Sequence, residues 1–243
     1  MRHNFSRRLL VAVDATGYGA GDDQRQRSIQ AAIPRVLDRS ALRAGLNRSR
    51  WSRQPTGDGE LAVLPEDESD NEPLVVDNFV RELDFALADH NHDLKDEARL
   101  RLRLAVHIGV ANPADSGFAG QGVVAVSRMV DSDALKAALR GTPAANLAAM
   151  VSGPVYTDVI AQRHTSIPPA EFREVQVVNK EFSSPGYIYI PGVRLWPEAA
   201  EQQESSNRGR PGRPGERTDH QYNSIVKGDV YAQGGVVGFQ WNQ

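Results

Sequence analysis

The clearest periodic segment of the chain lies between residues 98 and 110. Apolar residues fill alternate positions of this segment, ARLRLRLAVHIGV, and the positions between them hold Arg99, Arg101, Arg103 and His107. A period of two is typical of a β-strand that buries one face. We therefore predict a strand here, with its arginines on a solvated basic face.

Shorter apolar runs predict further strands at residues 9–13, 59–65, 146–152, 171–178 and 186–192, the last two as a closing hairpin. Helical spacing predicts helices over residues 23–45, 74–89, 123–140 and 153–162. In the first helix the apolar face holds Ile29, Ile33, Val36, Leu37 and Leu42, and we expect Pro34 to kink or split it. Since a helix follows most strands, the pattern predicts an α/β or α+β fold.

The composition changes at Pro197. Residues 197–221 have no periodicity and are rich in Pro, Gly, Glu, Arg and Ser, which is typical of a disordered linker. Residues 222–243 are again apolar and β-prone, but they are too few to build a core alone. We predict three parts: a folded domain at residues 1–196, a linker at 197–221 and a short β-prone segment at 222–243.

Composition and charge exclude several classes of function. The 243 residues contain no cysteine, so disulfides and thiolate metal sites are excluded, and the net charge of −3 gives no general attraction to nucleic acid. The sequence RGRPG at 208–212 matches the core of minor-groove-binding AT-hooks, but as a single copy it is more typical of a flexible linker. No run is long enough for a signal peptide or a membrane span. We expect a cytoplasmic protein without a membrane partner.

Two aspartates follow or precede predicted strands. Asp14 ends the first strand, and Asp58 lies between two glycines just before the second. Asp-Gly is also a common hairpin turn, and that interpretation stays open. If the two strands are neighbours, however, the carboxylates meet at one edge of the sheet. Mg²⁺ or Mn²⁺ bound with substrate phosphates uses such a pair of oxygen ligands.

Several motifs together resemble the class III nucleotide cyclase homology domain. They occur in the family's order: LLVAVDATGYG, GDGELAVLP, LRLAVHIGV, GQGVVAVSRMV, and a hairpin of FREVQVVNKEF and GYIYIPG. The resemblance covers residues 7–192. It implies an α+β, ferredoxin-like domain with a mixed sheet, a nucleoside triphosphate ligand with Mg²⁺ or Mn²⁺, and a homodimer. In that dimer, the metal ligands and the arginine helix of one site come from different subunits.

The resemblance also assigns individual residues. Asp14 and Asp58 match the two metal ligands, and Arg128 matches the arginine that steadies the transferred phosphate. The family's asparagine four residues earlier is replaced by Val124. The two base-reading positions hold Gln54 and Gln121, whose amides can still donate and accept hydrogen bonds. The metal site is therefore expected to be complete, and the catalytic set incomplete.

The C-terminal segment resembles bacterial amyloid-signalling motifs, which are related in pattern to RIP homotypic interaction motifs. The residues on which this resemblance rests are Asn223, Ile225, Gly228, Val230, Gln233, Gly235, Val236 and Gly238. Val and Ile pack well in stacked strands, and Asn and Gln form ladders. The resemblance implies a partner protein with a matching motif. An extra edge strand of the folded domain is the alternative.

Three functions follow from these features. The first is a divergent cyclase-like effector or nucleotide-binding domain, clustered through its C-terminal motif in bacterial signalling or immunity. The second is an active cyclase that makes a cyclic nucleotide. The third is a non-catalytic dimerising adaptor.

Overall fold

A central sheet organises the part of the chain that the computed structural model describes, residues 7–115 and 117–193. The strands are β1 (Arg7–Ala15), β2 (Ser52–Pro55), β3 (Gly59–Val63), β4 (Leu102–Val110), β5 (Asn112–Ala114), β6 (Gly117–Ala119), β7 (Leu147–Ser152), β8 (Arg173–Asn179) and β9 (Phe182–Tyr189). Seven of them form one sheet in the order β2-β3-β1-β4-β7-β9-β8, and β5 and β6 form a separate hairpin. Within the large sheet β4 and β7 are parallel, and the other neighbours are antiparallel.

Helices cover both faces of this sheet. They are α1 (Asp23–Arg43), α2 (Glu72–Leu74), α3 (Val80–Asn91), α4 (Gln121–Val130), α5 (Asp133–Arg140) and α6 (Gly153–Val155). A π-helical turn, Val75–Phe79, joins α2 to α3, and a second one, Tyr156–Ile160, follows α6.

The sheet separates two apolar cores, because neighbouring residues of a strand point to opposite faces. In β1, Val11 and Val13 pack with the buried residues of α1 and α3, whereas Leu10 and Ala12 pack with those of α4 and α5. The parity of β1 therefore places Asp14 on the α4–α5 face. The α+β fold with a mixed sheet and flanking helices is confirmed.

Two expectations about the helices were wrong: the single helix over 123–140 and the place of Leu42 on the buried face of α1. The predicted helix over 123–140 is two helices, because Ser132 adopts an extended conformation and its hydroxyl accepts a hydrogen bond from the Leu135 N–H as the N-cap of α5. Pro34 does not split α1. Leu42 is 78% exposed, since it lies nine residues and thus half a turn from the buried Ile33.

The expected solvated arginine face of β4 was also wrong. Arg101 donates hydrogen bonds to the main-chain carbonyls of Leu139, Thr142 and Ala145, at the end of α5 and in the loop after it, and Arg103 forms an ion pair with Asp14. Both guanidinium groups are therefore used inside the fold.

The predicted linker and the assembly residues from Asn223 to Gly238 lie outside the described residues, so the three-part division stays a prediction. In residues 7–115 and 117–193, no helix is both long and apolar enough to cross a membrane.

Candidate functional site

The two glycines around Asp58 fix its position beside β1. Gly57 has a φ of +91°, which other residues rarely adopt, and allows the β2–β3 turn. At Gly59 a Cβ atom would lie 2.0 Å from the carbonyl oxygen of Val13, so only glycine permits this approach. The Asp58 carbonyl then accepts a 2.8 Å hydrogen bond from the Ala15 N–H. The turn is a hairpin turn, and it also brings Asp58 to the end of β1.

Asp14 lies at that end of β1, next to Gly59 in the register of β1 and β3. Its side chain is 16% exposed, and one oxygen, Oδ1, is buried without a hydrogen-bond partner in the described residues. The Asp14 pKa is raised to about 6, chiefly by burial and also by the neighbouring Asp58 carboxylate, whereas the Arg103 guanidinium opposes both effects. Asp14 and Asp58 therefore lie close enough to interact, as their positions at the strand ends predict.

Arg103 is the site residue that the sequence did not reveal. It lies directly opposite Asp14 in the register of β1 and β4, is 11% exposed, and pairs with Asp14 Oδ2. Its position in the sequence showed only that it shares a face with Arg101. Knowledge that β1 and β4 are neighbours would have been needed to pair it with Asp14.

The two glutamines do not contact this carboxylate pair through any hydrogen bond in the described ranges. Gln54 is exposed on β2, and its side-chain oxygen lies 2.7 Å from the position that a Cβ on Gly117 would take. It therefore packs on the β5–β6 hairpin. Gln121 is exposed at the first position of α4.

Arg128 lies on α4 and is partly exposed. The buried side of this helix consists of Gly122, Ala125, Val126, Met129 and Val130. Arg128 forms no ion pair within residues 7–115 and 117–193, and its carbonyl accepts a 3.3 Å hydrogen bond from Asn179. The guanidinium is thus not neutralised within the described part of the chain.

Comparison with solved structures identifies the architecture. An adenylate/guanylate cyclase/hydrolase from Silicibacter pomeroyi matches with a TM-score of 0.52 at 20% identity, over 77% of this chain and 99% of that one. The guanylyl cyclase Cya2 matches with a TM-score of 0.54 at 13% identity, over 78% and 93%. The guanylate cyclase domain of RhGC from Catenaria anguillulae, solved with GTP, matches with a TM-score of 0.50 at 16% identity, over 76% and 96%.

The chain has a class III nucleotide cyclase fold. No protein-family model and no curated protein matches the sequence. The expected cyclase-type domain is confirmed at the level of the fold. The match spans nearly the whole of each cyclase domain, so the sheet and both helical layers are included.

Within the described residues, Asp14 and Asp58 are a pair of neighbouring carboxylates rather than part of a larger cluster. Among the described residues, no group of three or more His, Cys, Asp or Glu side chains could hold a metal ion. Two carboxylates still suffice for Mg²⁺, which retains waters and uses substrate phosphates as further ligands. The unpartnered Oδ1 of Asp14 and the neighbouring Asp58 carboxylate fit this requirement.

Proposed function

We propose that this chain binds a nucleoside triphosphate together with Mg²⁺ or Mn²⁺ at Asp14 and Asp58. In this proposal it is a divergent cyclase-like effector of bacterial signalling or immunity, clustered through residues 222–243. The proposal rests chiefly on one observation. Asp14 and Asp58 lie together at the end of β1, and the Asp14 Oδ1 is buried without a hydrogen-bond partner in the described residues. A bound divalent cation would satisfy that oxygen and offset the repulsion between the two carboxylates.

The chain's own residues have distinct tasks in this site. Asp14 and Asp58 would hold the metal, which supplies charge neutralisation to the phosphates and activation of an attacking oxygen. Arg103 orients the Asp14 carboxylate through their ion pair. Support for a triphosphate ligand comes from the similar guanylate cyclase domain that was solved with GTP.

Cyclisation of the bound nucleotide is a second candidate function, which Arg128 favours. This residue matches the family's phosphate-stabilising arginine and has no ion-pair partner in the described residues. The proposal includes a homodimer in which Arg128 approaches the partner's Asp14 across a two-fold interface. Val124 in place of asparagine, and glutamines at positions 54 and 121, argue for slow turnover and an altered choice of base.

Titration of the purified full chain with Mn²⁺ and each of ATP, GTP, CTP and UTP tests this function. Calorimetry measures binding, and mass spectrometry identifies products. We expect metal-dependent binding of at least one nucleotide, weakened about tenfold or more by Asp58→Asn, because this variant removes a ligand charge. This variant leaves the Asp14–Arg103 ion pair intact, because Asp58 is not part of that pair.

Asp93→Asn is the matched control, because it makes the same exchange of a carboxylate for an amide outside the proposed site. The Asp93 side chain is 93% exposed and follows α3. It should bind nucleotide as the unmodified protein does. Binding without product supports the nucleotide-responsive effector, and a cyclic product supports the cyclase. If no nucleotide binds in the presence of Mn²⁺, the proposal is wrong and the non-catalytic dimerising adaptor replaces it.

Clustering through residues 222–243 has a separate test. The full chain should form β-rich fibres at high concentration, and Gln233→Pro with Val236→Pro should abolish them, since proline removes ladder hydrogen bonds. Near-ultraviolet circular dichroism should show the same folded domain in both proteins. If the double variant instead loses the folded domain, the segment is an edge strand rather than an assembly motif.

A further inference from the structure

A cavity lies away from the carboxylate pair. It has a volume of about 390 Å³ and is lined in part by Arg81, Ser166, Ile167, Glu171, Tyr189 and Val193. Tyr189 belongs to the core that contains Val13, whereas Asp14, the next residue, points to the other face. Tyr189 and Ile167 therefore line the cavity from the opposite side of the sheet to Asp14, and none of the residues that line it belongs to the proposed nucleotide site.

The buried carboxylate of Asp77 contacts two residues that line this cavity, Ser166 and Arg81. It accepts hydrogen bonds from the Ser166 N–H at 2.5 Å and the Ser166 hydroxyl at 3.1 Å, and it pairs with Nε of Arg81 at 2.8 Å. The pair with Asp77 uses Nε of Arg81. Its two terminal amino groups have no hydrogen-bond acceptor among residues 7–115 and 117–193, so they remain available as donors.

Tyr189 brings a polar group to the cavity from the core. The residue is only 8% exposed, its ring lies 5.4 Å from that of Phe172, and its hydroxyl has no hydrogen-bond partner in the described part of the chain. Burial, and then the carboxylates of Glu171 and Asp84, raise the Tyr189 pKa. The phenol therefore stays neutral and can donate or accept a hydrogen bond.

Two carboxylates without an ion-pair partner in the described residues, Glu171 and Asp84, lie near Tyr189. Glu171 lines the cavity and forms no ion pair within the described ranges. Asp84 lies one helical turn after Arg81, also without a partner there, and burial raises its pKa to about 6. The cavity lining thus combines the guanidinium donors of Arg81 with the Glu171 carboxylate and the Tyr189 phenol, and Asp84 lies near enough to Tyr189 to affect its pKa.

We infer that this cavity binds a small zwitterion of the amino-acid class. Its carboxylate would accept hydrogen bonds from the terminal amino groups of Arg81, and its ammonium would donate to Glu171 and to the Tyr189 oxygen. Ile167 and Val193 provide an apolar wall for an aliphatic side chain. A simple anion would be repelled by Glu171 and a simple cation by Arg81, whereas a zwitterion satisfies both. The volume lies in the range of small-ligand sites.

Calorimetry on the full chain near neutral pH tests the inference, with each standard L-amino acid as a separate probe. n-Butylamine and butyrate, which carry only one of the two charges, are tested beside them. We expect at least one amino acid to bind about tenfold more tightly than either single-charge probe, because each charged hydrogen bond contributes on this scale. Tyr189→Phe and Arg81→Gln should each weaken that binding about fivefold or more.

The controls separate a binding defect from a folding defect. Arg27→Gln removes an exposed arginine of α1 and should leave the affinity unchanged. Asp58→Asn should also leave it unchanged, because Asp58 does not line the cavity. Tyr189→Phe deletes a single oxygen and should keep the melting temperature, which makes it the decisive variant if Arg81→Gln unfolds. Absence of binding by every amino acid, equal binding of a single-charge probe, or full affinity in Tyr189→Phe would each overturn the inference.

Discussion

Arg103 on β4 lies directly opposite Asp14 on β1, and its guanidinium forms an ion pair with the Asp14 carboxylate. The ion pair uses only Oδ2 of Asp14. The other oxygen, Oδ1, is buried without a hydrogen-bond partner in the described residues. A metal ion at Asp14 and Asp58 would thus find one free oxygen on Asp14, while Arg103 holds the carboxylate in a fixed orientation.

Metal binding should depend on pH through Asp14. Its pKa of about 6 in the folded protein lies above the usual 3.8, and a divalent cation requires the ionised form. The association constant for Mn²⁺ should therefore rise about tenfold per pH unit below pH 6 and become constant about one unit above it. Calorimetric titration with Mn²⁺ between pH 5 and 8 measures this curve.

The variant Arg103→Met tests whether Asp14 controls this pH dependence of Mn²⁺ binding. Since Arg103 favours the ionised form of Asp14, removing it should move the midpoint of the curve to higher pH. Asp93→Asn should leave the curve where it is. A midpoint that stays in place in Arg103→Met would show that Asp14 does not control metal binding.

Gly59 should be the most sensitive glycine of the site. In Gly59→Ala the new methyl group would collide with the Val13 carbonyl, so β3 and Asp58 must move away from β1. We expect a loss of about 2 to 4 kcal/mol in the free energy of unfolding. Gly19→Ala, where no atom lies within 4 Å of the new Cβ, should change it by less than about 0.5 kcal/mol. Urea denaturation followed by circular dichroism gives both values, and equal stability of the two variants would contradict the argument.

Arg101 should be important for stability although it was expected on a solvated face. Its guanidinium donates to the carbonyls of Leu139, Thr142 and Ala145, and so ties the end of α5 and the loop after it to the start of β4. Arg101→Met should lower the free energy of unfolding by about 2 kcal/mol, because charged groups make the stronger hydrogen bonds. The exposed Arg27→Met is the control and should have almost no effect in the same urea experiment. Similar values for the two variants would restore the solvated-face interpretation.

These residues show why part of the structure could be predicted and part could not. The period of two in residues 102–110 fixed β4 and its buried face, and the ends of two strands indicated that Asp14 and Asp58 would meet. The same pattern could not show what covers the other face. That depends on where α5 ends, almost forty residues after Arg101, and on which strands are neighbours.

Other errors have local causes. Strand β2, with the sequence SRQP, is exposed throughout and has no alternation to detect. The break between α4 and α5 was missed because no glycine or proline marks it, and a single capping serine, Ser132, decides the boundary. Asn223 to Gly238 and the linker before them keep the status of predictions.

Val124 offers a direct test of whether the site can turn over nucleotide. The resemblance to class III cyclases predicts that it takes the position of their transition-state asparagine, on α4 four residues before Arg128, and it is 43% exposed. Because the side chain is not part of the core, Val124→Asn should leave the melting temperature almost unchanged. An added hydrogen-bond donor at such a position typically changes a rate by about a hundredfold, so we expect cyclic product to form about ten to a hundred times faster than in the unmodified chain. Mass spectrometry of the reaction with Mn²⁺ and the nucleotide that binds provides the rate.

Val178→Asn, at a 62% exposed valine of β8, controls for the exchange of an exposed valine. If Val124→Asn forms no product although it binds nucleotide as tightly as before, Arg128 is not placed for catalysis, and the chain acts through nucleotide binding alone.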